Sequence, residues 1–310
     1  MSTTSDRAEP FAARLQARAQ ATGSVVCLGL DPRPGAHPLT DPARLGDAAL
    51  VARAVTDYFR AVLDATHDLV ACCKPQAAFF EALGLPGLEA LAALMAHSRG
   101  LGVPVVLDAK RGDIGSTAEA YAAAYLTDGA FAADALTVNP FLGLDTLEPF
   151  LAAAEAGGRG LFVLVRTSNP GSAALQEAEL ASGEALYQRL ADALAERSRA
   201  LAAGPGGYTV LGAVAGATAP AALAELRRRL PRSLLLVPGY GAQGGSADDV
   251  AAAFDAAGRG AVVNASRSLT YGAGALGART FAEVGAAARA ATLRMRDDLA
   301  AALQRRAASA

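Results

Sequence analysis

The sequence holds no Trp, three Cys and three His among 310 residues. It has only two Lys, Lys74 and Lys110. Cys27, Cys72 and Cys73 cannot all pair with one another, and no Cys-x-x-Cys occurs, which argues against a disulfide scaffold and a zinc knuckle. His37, His67 and His97 have no His or Cys partner at ligand spacing and read as surface or turn residues, so no metal site is expected. No uninterrupted apolar run reaches the roughly 18 residues of a membrane span. The opening MSTTSDRAEPFAARLQ lacks an apolar signal core, so a cytoplasmic location is expected. Charge is scarce in excess: 28 Lys+Arg face 30 Asp+Glu for a net charge of -2. That balance disfavours attachment to nucleic acid by bulk charge, and the sequence shows no basic, aromatic-bearing face. The run Arg227-Arg228-Arg229 reads as a solvated helix end, favourable near a C-terminus.

What remains is apolar and rich in Ala, with 52% hydrophobic residues, enough for a large core. Arg supplies every cation but two, which fits a coding bias toward Arg and Ala. The two lysines that survive it stand where a compact ammonium able to release a proton is required.

Strand-length apolar runs recur at 25–31, 68–75, 104–110, 135–141, 161–168, 208–217, 234–241 and 260–268. They lack strict alternation, as buried parallel strands do. Segments of helical periodicity lie between them, at 46–66, 87–100, 116–127, 146–156, 173–203, 219–230 and 246–257. The pattern predicts an α/β fold, a (β/α)8 TIM barrel with flanking N- and C-terminal helices. A doubly wound open sheet is disfavoured because no GxGxxG follows the first strand and no GxxxxGK[ST] occurs. One barrel domain is expected over 1–310, with its core at about 25–275 and flanking helices at about 9–21 and 281–306. The connection 171–207 has room for a helix and an extra loop, and segments 1–8 and 307–310 read as disordered.

Barrel active sites form at the C-terminal strand ends, and the polar residues of this chain gather there. The ends carry Asp31; Lys74 and Gln76; Asp108, Lys110 and Asp113; Asn139; Arg166 to Asn169; Pro238 and GYGAQGG; and Asn264 to Ser268. Capping and turn formation explain single members of this set, Asn139, Asn169 and Ser268 among them. They do not explain two lysines ending adjacent strands beside an aspartate, a costly arrangement unless the charges pair. Asp108 and Lys110, two apart, point to the same side of a strand. Asp113 follows, so carboxylates on either side hold Lys110 as an ammonium, and Lys74 balances Asp108. Such an array donates a proton to a carbanion. It also repels a substrate carboxylate beside Asp108, on the order of 4 kcal/mol at ~4 Å and an effective dielectric of 20. Loss of carbon dioxide relieves that repulsion. After strands seven and eight, the glycines of 239–245 with Gln243, and Arg267, suit a phosphate.

LDAKRGDIGST (107–117), LGLDP (28–32), KPQAAFFE (74–81), TVNPFLG (137–143), RTSNPG (166–171), VPGYGAQGG (237–245) and NASRS (264–268) resemble the orotidine 5'-phosphate decarboxylase family. The likeness is to its second bacterial subgroup and runs from about residue 11 to 300. It implies a homodimeric barrel that converts orotidine 5'-phosphate to UMP and carbon dioxide without metal or organic cofactor. By the same resemblance Lys110 donates the proton to C6, Asp108 sits by the departing carboxylate, and Lys74 orients Asp108 and touches the ribose. Asp113, Ile114 and Thr117 come from the partner subunit. Asp31 binds a ribose hydroxyl, Ser168 reads the pyrimidine amide edge, Gln243 and Arg267 hold the phosphate, and Pro238 packs near the nucleotide. Gln76 and Asn139 are further candidate ligand contacts.

Two other readings compete. Relatives that decarboxylate 3-keto-L-gulonate 6-phosphate or make hexulose 6-phosphate share Asp-x-Lys-x-x-Asp but use magnesium, which calls for further carboxylates. Strand two here ends in Lys74 instead. A non-catalytic nucleotide-binding barrel would keep Gln243 and Arg267 but have no need of Lys110 or Asp113.

Overall fold

The computed structural model describes residues 9–204, 206–241 and 244–309. Eight strands share one parallel sheet: β1 (Val26–Leu30), β2 (Cys72–Pro75), β3 (Val106–Arg111), β4 (Ala135–Val138), β5 (Gly160–Arg166), β6 (Leu211–Ala215), β7 (Leu235–Val237) and β8 (Ala261–Ala265). Their order is β2-β1-β8-β7-β6-β5-β4-β3. The two ends meet through isolated parallel bridges, Cys73 with Val105 and Gln76 with Asp108, which brings the sheet round into a barrel. The open-sheet alternative is thereby excluded.

Each strand separates two cores, which is why its sequence runs apolar without alternation. The inner core includes Cys27, Cys72, Val106, Phe162 and Leu236, and the outer one, under the helices, includes Leu28, Cys73, Leu107 and Val163. Cys72 and Cys73 thus face opposite sides, as strand alternation requires.

Helix Phe11–Thr22 closes the barrel floor. Phe11 meets Phe162 edge-on at 6.1 Å between centroids. It also lies over Gly160, where a Cβ would come within 2.4 Å of its ring. Helix Phe281–Ser309 packs along helix Ala48–Thr66 so closely that a Cβ at Gly285 would lie 2.7 Å from the Ala61 carbonyl oxygen. Among the described residues, no helix is long and apolar enough to cross a membrane.

Several sequence expectations are corrected. The helical stretch 173–203 is two helices, Ala173–Gln176 and Leu186–Arg199. Between them Gly183, at φ 81°, turns the chain so that Glu179 bridges Ala185 antiparallel. The helix expected over 246–257 is only Ala247–Ala251, and that over 46–66 begins after Asp47, which caps it by accepting from the Ala49 and Leu50 N–H groups. Residues 307–309 continue the last helix instead of fraying, while 1–8 and 310 lie outside the described residues. His37 is buried, not superficial: its Nδ1 accepts from the Leu39 N–H and its Nε2 bonds the Ala275 carbonyl. His67 and His97 are half-buried, each bonded to Asp64. Arg227 is buried too, donating to the Gly260, Leu230 and Ser233 carbonyls over the Tyr208 ring. Three carbonyls in place of water explain how a guanidinium of an otherwise solvated run enters the core.

Candidate active site

The site grows from a defect in the sheet. Between β3 and β4 the register passes from Leu107–Leu136 to Arg111–Val138, so Asp108, Ala109 and Lys110 stand opposite Thr137 alone. Such bulges bend a strand and re-aim its side chains. Lys110 absorbs the excess with φ at 49°, the one non-glycine with positive φ among the described residues. Strained backbone of this kind is held only where its surroundings over-determine it.

Asp108 is the hub. Its Oδ2 accepts from Lys74 Nζ at 2.8 Å and Gln76 Nε2 at 2.9 Å. Its Oδ1 accepts from Lys110 Nζ at 2.7 Å and Thr137 Oγ1 at 3.0 Å. Burial works to raise the Asp108 carboxyl, but Lys74 and Lys110 outweigh it and hold the group well below the usual carboxylate range. Burial likewise works against the Lys74 ammonium, and Asp108 and Asp31 prevail, raising it above the ordinary lysine value. The lysines differ in access: the Lys74 side chain is 5% exposed and that of Lys110 44%. Lys110 is therefore the ammonium that an incoming molecule meets.

The other predicted residues ring this hub at the strand ends. Asp31, after β1, keeps a buried Oδ1 with no hydrogen-bond partner, an acceptor suited to a ligand hydroxyl. Arg267, just after β8, is exposed and forms no ion pair among the described residues. Nearby, β1 and β8 touch so tightly that a Cβ on Gly29 would overlap Ser266. Ser168 is half-buried, and among the described residues its hydroxyl has no hydrogen-bond partner. Its loop is framed by Arg166, whose guanidinium bonds Glu177 at 2.6 Å, the Thr167 carbonyl at 2.7 Å, and Ser172. Pro238 follows β7 and its carbonyl accepts from the Ala217 N–H at 2.8 Å. The loop beyond is pinched at its base by Gly241 N–H on the Gly245 carbonyl. Gln243 lies outside the described residues.

One expectation changes. Asp113 does not hold Lys110 of its own chain, because its carboxylate accepts from the Ile114 N–H at 2.8 Å. Ile114 and Thr117 are exposed beside it, at the start of helix Gly115–Leu126. Asn139 Oδ1 accepts from the Phe141 N–H and so shapes the turn after β4. Gln76, by contrast, is a direct partner of Asp108. Sequence reasoning missed Thr137 and the Glu177 clamp. Its one signal for Thr137 was a hydroxyl inside an apolar strand run. Cavity volume is no guide here: a cavity of about 600 Å³ lies at the opposite barrel face between Leu15, Val262 and Leu303. No three His, Cys, Asp or Glu among the described residues cluster to hold a metal ion.

A family model described as orotidine 5'-phosphate decarboxylase / HUMPS matches residues 24–277, all eight strands included. The chain belongs to this family. An orotidine 5'-phosphate decarboxylase of Rhodopirellula baltica is 48% identical over 84% of this chain and 88% of its own. One from Deinococcus radiodurans is 46% identical over 94% and 98%. The Leishmania donovani OMP decarboxylase structure, 34% identical, superposes with a TM-score of 0.73 over 95% of this chain and 99% of its own. That of Methanocaldococcus jannaschii, at 19% identity and a TM-score of 0.56, shares the fold.

Proposed function

We infer that the C-terminal face of this barrel is the active centre of an orotidine 5'-phosphate decarboxylase. The chain is a carboxy-lyase of pyrimidine biosynthesis, forming UMP and carbon dioxide. The observation that carries the reading is one buried carboxylate, Asp108, shared by two lysines of which one is open to the barrel mouth.

The substrate carboxylate sits beside Asp108 and is repelled by it. The C6–carboxylate bond breaks heterolytically, carbon dioxide leaves, and the electron pair stays on C6. Lys110 Nζ gives C6 a proton, becomes a neutral amine, and is reprotonated from solvent. An Arg in its place could not do this at neutral pH. Lys74 stays charged throughout, held by Asp108 and Asp31. Asp31 takes a ribose hydroxyl on its free Oδ1, Ser168 the pyrimidine amide edge, and Arg267 with Gln243 the phosphate, with Pro238 alongside. Asp113, Ile114 and Thr117 serve the neighbouring protomer of a homodimer, a role consistent with an Asp113 turned away from its own Lys110. The reaction uses no metal or organic cofactor and takes place in the cytoplasm.

The test is loss of orotate absorbance when protein and orotidine 5'-phosphate are mixed in EDTA. Turnover by the native protein and none by Lys110→Ala is expected. Activity that appears only on adding magnesium would move the reading to the sugar-phosphate relatives.

A further inference from the structure

We propose that Thr137 is a positioning residue, its hydroxyl setting the geometry between Asp108 and Lys110 on which proton delivery depends. The inference rests on the reading of Lys110 as proton donor. Three residues of β3 oppose Thr137 alone, so the β4 backbone cannot offer each of them a ladder partner. The Thr137 side chain supplies what is missing. Its Oγ1 accepts from the Lys110 N–H at 2.9 Å and donates to Asp108 Oδ1 at 3.0 Å. A hydroxyl does both at once, and no apolar side chain of the same shape does either.

The first bond captures the backbone of Lys110 in its left-handed conformation, from which the side chain reaches back to Asp108. The second fixes the oxygen that Lys110 Nζ shares. Thr137 is 1% exposed and acts through these two residues, not on the substrate. Without the hydroxyl the Lys110 N–H loses its partner and the strained backbone relaxes, carrying Nζ away from C6. Displacements of about 1 Å at a reacting centre cost on the order of 100-fold in rate.

The experiment compares native protein, Thr137→Val, Thr137→Ser and Lys110→Ala for kcat, KM and melting temperature. Thr137→Val is expected to lower kcat about 10- to 100-fold with KM within about threefold, and Thr137→Ser to recover kcat to within about threefold. A native kcat in Thr137→Val, an equal loss in both Thr137 variants, or a change confined to KM overturns the proposal. Should Thr137→Val not fold, amide hydrogen exchange on the native protein decides. Slow exchange of the Lys110 amide supports the bond, and exchange as fast as that of an exposed loop overturns it. Activity retained in Lys110→Ala would instead overturn the reading beneath, whatever Thr137 does.

Discussion

Asp108 and Lys74 show how single side chains tie stability to pH. The Asp108 carboxyl is depressed in the fold, so its stabilisation is present above the unfolded value of roughly 4 and is lost as pH falls through the folded one. Lys74 is raised, so its contribution is complete below roughly 10.4 and is lost as pH rises through its folded value. Urea midpoints measured against pH should therefore be flat between these limits and fall at both extremes. Asp108→Asn leaves Lys74 buried and short of its main counter-charge, and should cost about 3–5 kcal/mol in urea unfolding at pH 7. The thiols behave differently. Burial pushes Cys73 up to about 12, and a hydrogen bond with Cys27, then burial, raises Cys72 as well. A charged alkylating reagent at pH 7.5 should label none of the three cysteines in the native protein and all of them in urea. At this scale the sequence announced residues whose chemistry is rare in it, Lys74 and Lys110, and Asp108 through them. It concealed Thr137, His37 and Arg227, because a Thr, a His or an Arg acquires its meaning from partners remote in the chain.

Among the elements, the helix that closes the floor has the plainest mechanical role. Phe11→Ala removes a fully buried ring set against Phe162 and Gly160, and should destabilise by about 3–5 kcal/mol in denaturant titration. The strand ends proposed as the active site lie across the barrel, so kcat should hold wherever the variant is folded. Most strands were legible because burial on both faces writes a continuous apolar run. Most of their ends were read one to four residues too wide, since the apolar runs carry on into buried loop residues such as Ala71 and Ala217. Segment 171–207 was the least legible. Its division depends on a turn at Gly183 and on Glu177 reaching back to Arg166, and helical periodicity registers neither.

For the molecule as a whole, the apolar surface lies at the same mouth as the charges. Ile114 is 63% exposed and Phe141 73%, and their loops adjoin where the Asn139 N–H donates to the Arg111 carbonyl. A homodimer across this mouth should sediment at twice the chain mass, and Ile114→Asp should yield monomers with little activity. If Asp113 serves the neighbouring site, equal amounts of inactive Lys110→Ala and Asp113→Ala, mixed and allowed to exchange subunits, should regain about a quarter of native activity. Sites built within one chain would regain none. The barrel wall holds a further consequence. Among the described residues, seven pairs of neighbouring strands are joined by ladders, but β2 and β3 only by isolated bridges. Asp108 spans that gap to Lys74 and Gln76. The charges proposed to act on the substrate are thus also stitches across the loosest seam among the described strands.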